Sequence, residues 1–150
     1  MADLNELYQS VILDHNRSPR NFRSITDTPH HADGHNPLCG DRLTVWVALD
    51  GDVITDVSFQ GDGCAISKSS ASLMTQAVKG KTVAQARELF AGFQKLVTGQ
   101  ATPQESKPLL GKLVLFSGVS QFPVRVKCAS LSWHTLNAAL DDAPEPVTTE

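Results

Sequence analysis

Cysteine is scarce in this sequence, long apolar runs are missing, and positive charge is nowhere concentrated. Each shortage closes off a class of function. No stretch approaches the roughly 20 apolar residues of a membrane-spanning helix, so no membrane partner is expected. Lysine and arginine number 13 against 16 acidic residues, for a formal net charge of −3. With no basic run to neutralise phosphates and no aromatics interleaved with one, nucleic-acid binding is not expected either. The opening residues Met1-Ala2-Asp3-Leu4-Asn5-Glu6 lack the apolar segment of an export signal, and a cytoplasmic location is the expectation. The three cysteines, Cys39, Cys64 and Cys128, cannot all pair within one chain, and in a reducing compartment they are expected as free thiols. Metal ligation or reactivity is then the sharper use for them.

What is present reads as one α+β domain over residues 1–140, a small antiparallel sheet of about three strands packed by helices. Leu4, Leu7, Tyr8, Val11 and Ile12 recur at helical spacing, with Asp3 placed as N-cap and Glu6 three residues on. Ser24–Cys39 shows no periodicity and reads as a surface loop. Its histidines, His30, His31 and His35, fit solvated side chains better than ligands. From Arg42 the period becomes two, with Leu43, Val45, Val47 and Leu49 on one side. Asp50-Gly51 signals a hairpin, and the return strand carries Val53, Thr55, Val57 and Phe59 on one side. A helix follows from Cys64 to about Val78. Another starts at Thr82 with Gln85, presenting Val83, Ala86, Leu89 and Phe90. Residues 92–108 read as irregular, with one helical turn near Phe93–Val97, and Leu109–Val119 as helical in part. Pro123 suits the first turn of a last helix, whose face runs Val124, Cys128, Leu131, Thr135, Leu136 and Ala139 or Leu140. Residues 141–150 are acidic and without apolar periodicity, and a disordered tail is expected.

The stretch Asn36-Pro37-Leu38-Cys39-Gly40-Asp41 organises the rest. Side-chain direction repeats every two residues in extended chain, so Cys39 and Asp41 at a strand start share a face. Cys64 follows Gly61-Asp62-Gly63 at a helix N-terminus, where the dipole favours thiolate; a buried apolar cysteine is the alternative there. Cys128 sits near the start of the last helix. Convergence of the three thiols with Asp41 would make an S3O shell of the kind zinc accepts, with the hard carboxylate the weakest match to a soft metal. No Cys-x-x-Cys pair occurs, so spacing alone leaves the metal open. The zinc-deaminase pattern His-x-Glu with Pro-Cys-x-x-Cys is absent. A cysteine protease would need an orienting histidine, and His15 and His134 both lie beside core positions on helices.

Three blocks together resemble a known family. Asn36-Pro37-x-Cys39-Gly40-Asp41, Gly61-x-Gly63-Cys64-Ala65-Ile66-Ser67 and Arg125-x-Lys127-Cys128-Ala129-x-Leu131-x-Trp133 are similar to the NifU-like/IscU superfamily, and more closely to its SufU branch. The resemblance implies Cys39, Asp41, Cys64 and Cys128 as the ligand set. It implies a zinc-dependent sulfurtransferase taking persulfide sulfur from a SufS-type, PLP-dependent cysteine desulfurase, with a downstream SUF cluster-assembly scaffold as recipient. Cys39, on the Pro/Gly loop, would be the catalytic thiol, freed when a partner side chain takes its place on the metal. Arg125 and Lys127 would contact the partner or the anionic persulfide; exposed helical charges are the plainer reading of both. The alternative within the family is a scaffold holding a transient [2Fe–2S] cluster, or iron, on the same residues. Against it, the scaffold branch carries histidine where this chain has Lys127, an ammonium that makes a poor ligand. The segment between Cys64 and Cys128 is also longer than in scaffolds, and their Leu-Pro-Pro-Val-Lys chaperone signal is reduced to Phe122-Pro123-Val124-Arg125. A structural zinc domain without chemistry is the third reading, under which Cys39→Ala would unfold the chain.

Overall fold

The computed structural model describes residues 4–143 and 145–148. Asp3, expected as the first N-cap, and the side chains of Leu4 and Leu7 lie outside what is described. The elements in order are α1 (Leu4–Arg17), β1 (His30–Asn36), β2 (Asp41–Asp50), β3 (Val53–Asp62), α2 (Ala65–Val78), α3 (Val83–Val97), α4 (Pro103–Leu110), a 3₁₀ helix (Gly111–Gln121), α5 (Pro123–Leu140) and β4 (Val147–Thr148). This is the expected α+β arrangement, with four strands where about three were expected; β1 and β4 lie in segments that read as loop and tail. The sheet order is β3-β2-β1-β4, antiparallel except for the parallel β1–β4 pair.

The two added strands correct the reading of residues 24–39 as loop and qualify that of 141–150 as tail. In β1 the inward positions are Ala32, Gly34 and Asn36, so the strand alternates by size rather than by hydropathy. A Cβ on Gly34 would lie 2.1 Å from Thr135 Oγ1 and 3.1 Å from Leu131 Cδ1: α5 presses directly on the β1 backbone. The tail segment Val147–Thr148 pairs with Gly34 and His35 of β1.

β3 carries a second correction. The register slips between Ala48 and Leu49, pairing Leu49 with Ile54 and Ala48 with Asp56, which leaves Thr55 as the extra residue of a bulge. Ile54, Val57 and Phe59 therefore enter the core while Thr55 is exposed. α3 also runs straight through Gly92 to Val97, and α4 starts from a Thr102/Glu105 capping box, where residues 92–108 had read as irregular.

The core is layered between the sheet and α2, α3 and α5. Trp133, 0% exposed, stacks on Phe93 at 4.9 Å between centroids, and Phe93 meets Phe116 of the 3₁₀ helix edge-on at 5.7 Å. α2 is locked to its neighbours by buried hydroxyls: Ser70 Oγ donates to Ala129 O of α5 at 2.6 Å, and Ser72 Oγ sits 2.7 Å from His15 Nδ1 of α1. This scaffold brings the β1–β2 turn, the N-terminus of α2 and the second turn of α5 together at one end of the sheet.

Candidate metal centre

The β1–β2 connection delivers the first thiol. Asn36 accepts the Leu38 N–H on Oδ1 at 3.2 Å and the Cys39 N–H on its carbonyl at 3.3 Å, a turn asparagine favours through its side chain. Gly40 completes it at φ 71°, in the left-handed region. Cys39 is thereby held at a turn tip, partly exposed, while Asp41 enters β2 with no exposure at all.

Asp41 joins strand to helix. Its Oδ1 accepts the Cys64 backbone N–H at 2.7 Å, and its Oδ2 stands 3.8 Å from Cys64 Sγ. Gly63 makes the approach possible, since a Cβ there would lie 2.7 Å from Asp41 Oδ1. Cys64 is the N-cap of α2, its sulfur accepting the Ser67 N–H at 3.4 Å. From the other side α5 supplies Cys128, 2% exposed, whose sulfur lies 3.1 Å from Cys39 Sγ and accepts from Asn36 Nδ2 at 3.5 Å.

One ligand atom each from Cys39, Asp41 and Cys128 fall within 4.8 Å of one another, a group that could hold a metal ion. Cys64 stands beside it, against Asp41 Oδ2. A hydrogen bond from Cys128 does most to lower the Cys64 pKa, to about 7, and the Ser67 N–H adds to it; burial and the Asp41 charge act the other way. Cys128 is pushed up, chiefly by its hydrogen bond to Cys64, then by burial and by Cys39. Three thiolates and a carboxylate this close repel one another unless a cation lies among them. The clustered donors, two soft sulfurs and one oxygen with the Cys64 sulfur standing beside them, are of a kind that fits zinc and also fits iron.

Two neighbours escaped notice in the sequence as parts of the site. Asn36 is fully buried and touches Cys128 sulfur; its sequence signal was the Asn-Pro turn, which pointed to the loop and not to a sulfur contact. Tyr8 of α1 is raised in pKa by burial first, is lowered by Arg125, and is raised by the charges of Cys64 and Cys128, and Tyr8 and Arg125 line one cavity with Phe122. The Arg125 guanidinium lies over the Phe122 ring at 4.6 Å. Lys127 lines a different cavity, with Gln94, Ser130 and His134. Among the described residues no histidine joins the group: His15 is on Ser72, His30 on Asp142, and His134 packs edge-on against Phe90.

Comparison with known proteins agrees with this geometry. Residues 7–142 match the family model described as NifU-like N terminal domain. The zinc-dependent sulfurtransferase SufU of Bacillus subtilis (strain 168) is 43% identical over 135 residues, covering 90% of both chains. The iron-sulfur cluster assembly scaffold protein IscU of Streptococcus pyogenes serotype M1 is 39% identical over 140 residues, 93% of this chain and 86% of that one. Among solved structures, FiSufU of Fervidobacterium islandicum AW-1 superposes with a TM-score of 0.81 at 35% identity, over 87% of this chain and 93% of that one. A fold, a cysteine-aspartate cluster and a family match spanning nearly the whole chain agree, and the chain belongs to the NifU-like N-terminal domain family.

Proposed function

We propose that this protein acts in iron–sulfur cluster assembly as a zinc-dependent sulfur acceptor, receiving persulfide sulfur from a PLP-dependent cysteine desulfurase and passing it to a downstream assembly scaffold. The observation that carries the reading is the asymmetry of the cluster: Cys39 is at a turn tip and partly exposed, while Asp41 and Cys128 are buried. A 43% identical relative bearing the name zinc-dependent sulfurtransferase supports it.

In this reading Cys39, Asp41, Cys64 and Cys128 hold the zinc. Bound there, zinc keeps the thiols deprotonated and restrains their nucleophilicity until a partner docks. The Cys39 thiolate attacks the outer sulfur of the desulfurase persulfide; the S–S bond breaks, the desulfurase cysteine leaves as thiolate, and Cys39 carries the persulfide. Asp41 Oδ1 keeps the α2 N-terminus in place through the Cys64 N–H, and Asn36 Nδ2 steadies the Cys128 sulfur. Arg125, exposed and three residues before Cys128 on α5, contacts the anionic persulfide or the partner. The protein alone turns nothing over; its activity is read through the desulfurase.

The test is alanine production by the cognate desulfurase with the metal-loaded protein, with the metal-stripped protein and with Cys39→Ala. Stimulation by the loaded protein alone, lost in Cys39→Ala while the circular dichroism is unchanged, is expected. No stimulation by the zinc form overturns the reading. The scaffold alternative is favoured by the same donors, which accept iron, and by the 39% identical IscU relative; it predicts a [2Fe–2S] absorption spectrum after anaerobic reconstitution. The structural-zinc alternative predicts that Cys39→Ala unfolds.

A further inference from the structure

Turning about 100° round α5 from Cys128 brings up a second feature with its own chemistry. Lys127, Ser130 and His134, at i, i+3 and i+7, face a cavity of about 250 Å³ bounded by Gln94 of α3 and by Val147 and Thr148 of β4. Whereas the thiol cluster gathers Cys128 and its acidic neighbour Asp41, this cavity has no aspartate or glutamate in its lining among the described residues. None of the ion pairs among the described residues involves Lys127, so the half-buried Lys127 brings its positive charge to the cavity with no counter-charge among those residues.

The polar groups around that ammonium are donors in search of an acceptor. Ser130 Oγ donates to Gln94 Oε1 at 3.5 Å, and the Gln94 amide N–H groups have no acceptor among the described residues. His134 is half-buried behind the Phe90 ring, burial lowers its pKa, and its imidazole can offer an N–H to the cavity. The Thr148 hydroxyl completes the donors. Val126 and Val147 form the apolar part of the wall. One unit of positive charge, neutral donors and a short apolar wall match a monoanion carrying a few carbons, and not a dianionic phosphate.

We propose that this cavity is a binding site for a small monocarboxylate with a short aliphatic chain: its carboxylate on Lys127 and the Gln94 and His134 donors, its carbons against Val126 and Val147. One wall is β4, which pairs with β1 over two residues and packs against α5, so occupancy also pins the C-terminal segment to the sheet. The site is separate from the sulfur chemistry and is read on the protein alone.

The experiment is an NMR titration of the full-length, metal-loaded, 15N-labelled protein with acetate and with butyrate, at constant ionic strength and with chloride as control. Saturable shifts centred on Lys127, Ser130 and Thr148, with butyrate tighter than acetate, are expected. Lys127→Gln, which keeps a hydrogen-bond donor and removes the charge, weakens butyrate by roughly tenfold or more. Val147→Asp, which puts a carboxylate in the half-buried wall on an edge strand, weakens it likewise, with the circular dichroism of the rest of the fold as the control. Metal content stays constant in both variants. Absence of saturable shifts at millimolar butyrate, equal affinity for acetate and butyrate, or undiminished binding in Lys127→Gln each overturns the proposal.

Discussion

α5 serves two buried clusters of opposite character. Toward its middle, Trp133 stacks with Phe93, which in turn meets Phe116, and all three are sealed from solvent. Near its start, Cys128 meets Cys39, Asn36 and, across the site, Asp41. The first cluster is held by apolar burial and dispersion, which act without direction and make the fold. The second contributes little apolar area and brings together groups that repel when ionised, so it stores a need for a cation instead of stability. A helix can carry both because its packing against β1 and α2, through Gly34 and Ser70, is settled by neither cluster alone. Fold and chemistry are therefore separable by mutation.

Trp133→Ala is the largest expected blow. Removing a fully buried aromatic costs about 3–5 kcal/mol, read as a lowered denaturant midpoint, while metal bound per folded molecule stays the same. A loss of metal affinity beyond the folded fraction would break the separation. Cys128→Ala tests the other side: metal affinity falls by more than about a hundredfold, since even supporting partners of ligands are worth 10–100-fold. The metal-free stability changes by about 1 kcal/mol or less. Competition with a chromophoric chelator and urea unfolding of the stripped protein measure the two quantities.

Asn36→Ala is the intermediate case. It removes the N–H facing Cys128 sulfur and the acceptor for the Leu38 N–H. Metal affinity is expected to drop about tenfold, with the sheet intact by circular dichroism; an unchanged affinity would confine Asn36 to the turn.

The smallest effect is a slope. His15 is buried against Ser72, with Arg20, Lys112 and Asp14 as its charged neighbours, and burial first, then Arg20, hold its pKa below 6.5. The unfolded chain then takes up a proton at higher pH than the folded one, so stability is fully present above pH 6.5 and declines as pH falls through the folded value. His134, lowered by burial, contributes with the same sign. His15→Gln should flatten part of the stability loss between neutral and acidic pH in urea titrations. An unaltered slope would assign the pH response elsewhere.

Much of the site was legible because its chemistry lies in residue types and local turns. Asn36 to Asp41, the glycines before Cys64 and the helix opened by Pro123 each carry short-range signals, and the structure places each cysteine at the element start read from them. β1 was not legible, because Ala32, Gly34 and Asn36 face inward to accommodate α5 and only Ala32 is apolar. The bulge at Thr55 was hidden for a related reason: alternation names a face only if the register is unbroken, and the break is set by pairing with Ala48 and Leu49.

The sequence by itself determined the inventory: three thiols, a carboxylate two residues from one of them, a helix cap at Thr82, a first-turn proline at Pro123, and a chain long enough for one core. Those are consequences of side-chain chemistry and of hydrogen bonds spanning a few residues. Only the tertiary structure decided that Cys39 and Cys128 sit 3.1 Å apart, that Asp41 Oδ1 takes the Cys64 N–H, and that Lys127 turns to a cavity walled by β4 while its neighbour Cys128 faces the thiols. These are contacts between segments distant in the chain, and their energies come from close packing and desolvation, quantities that have no value until the partners meet.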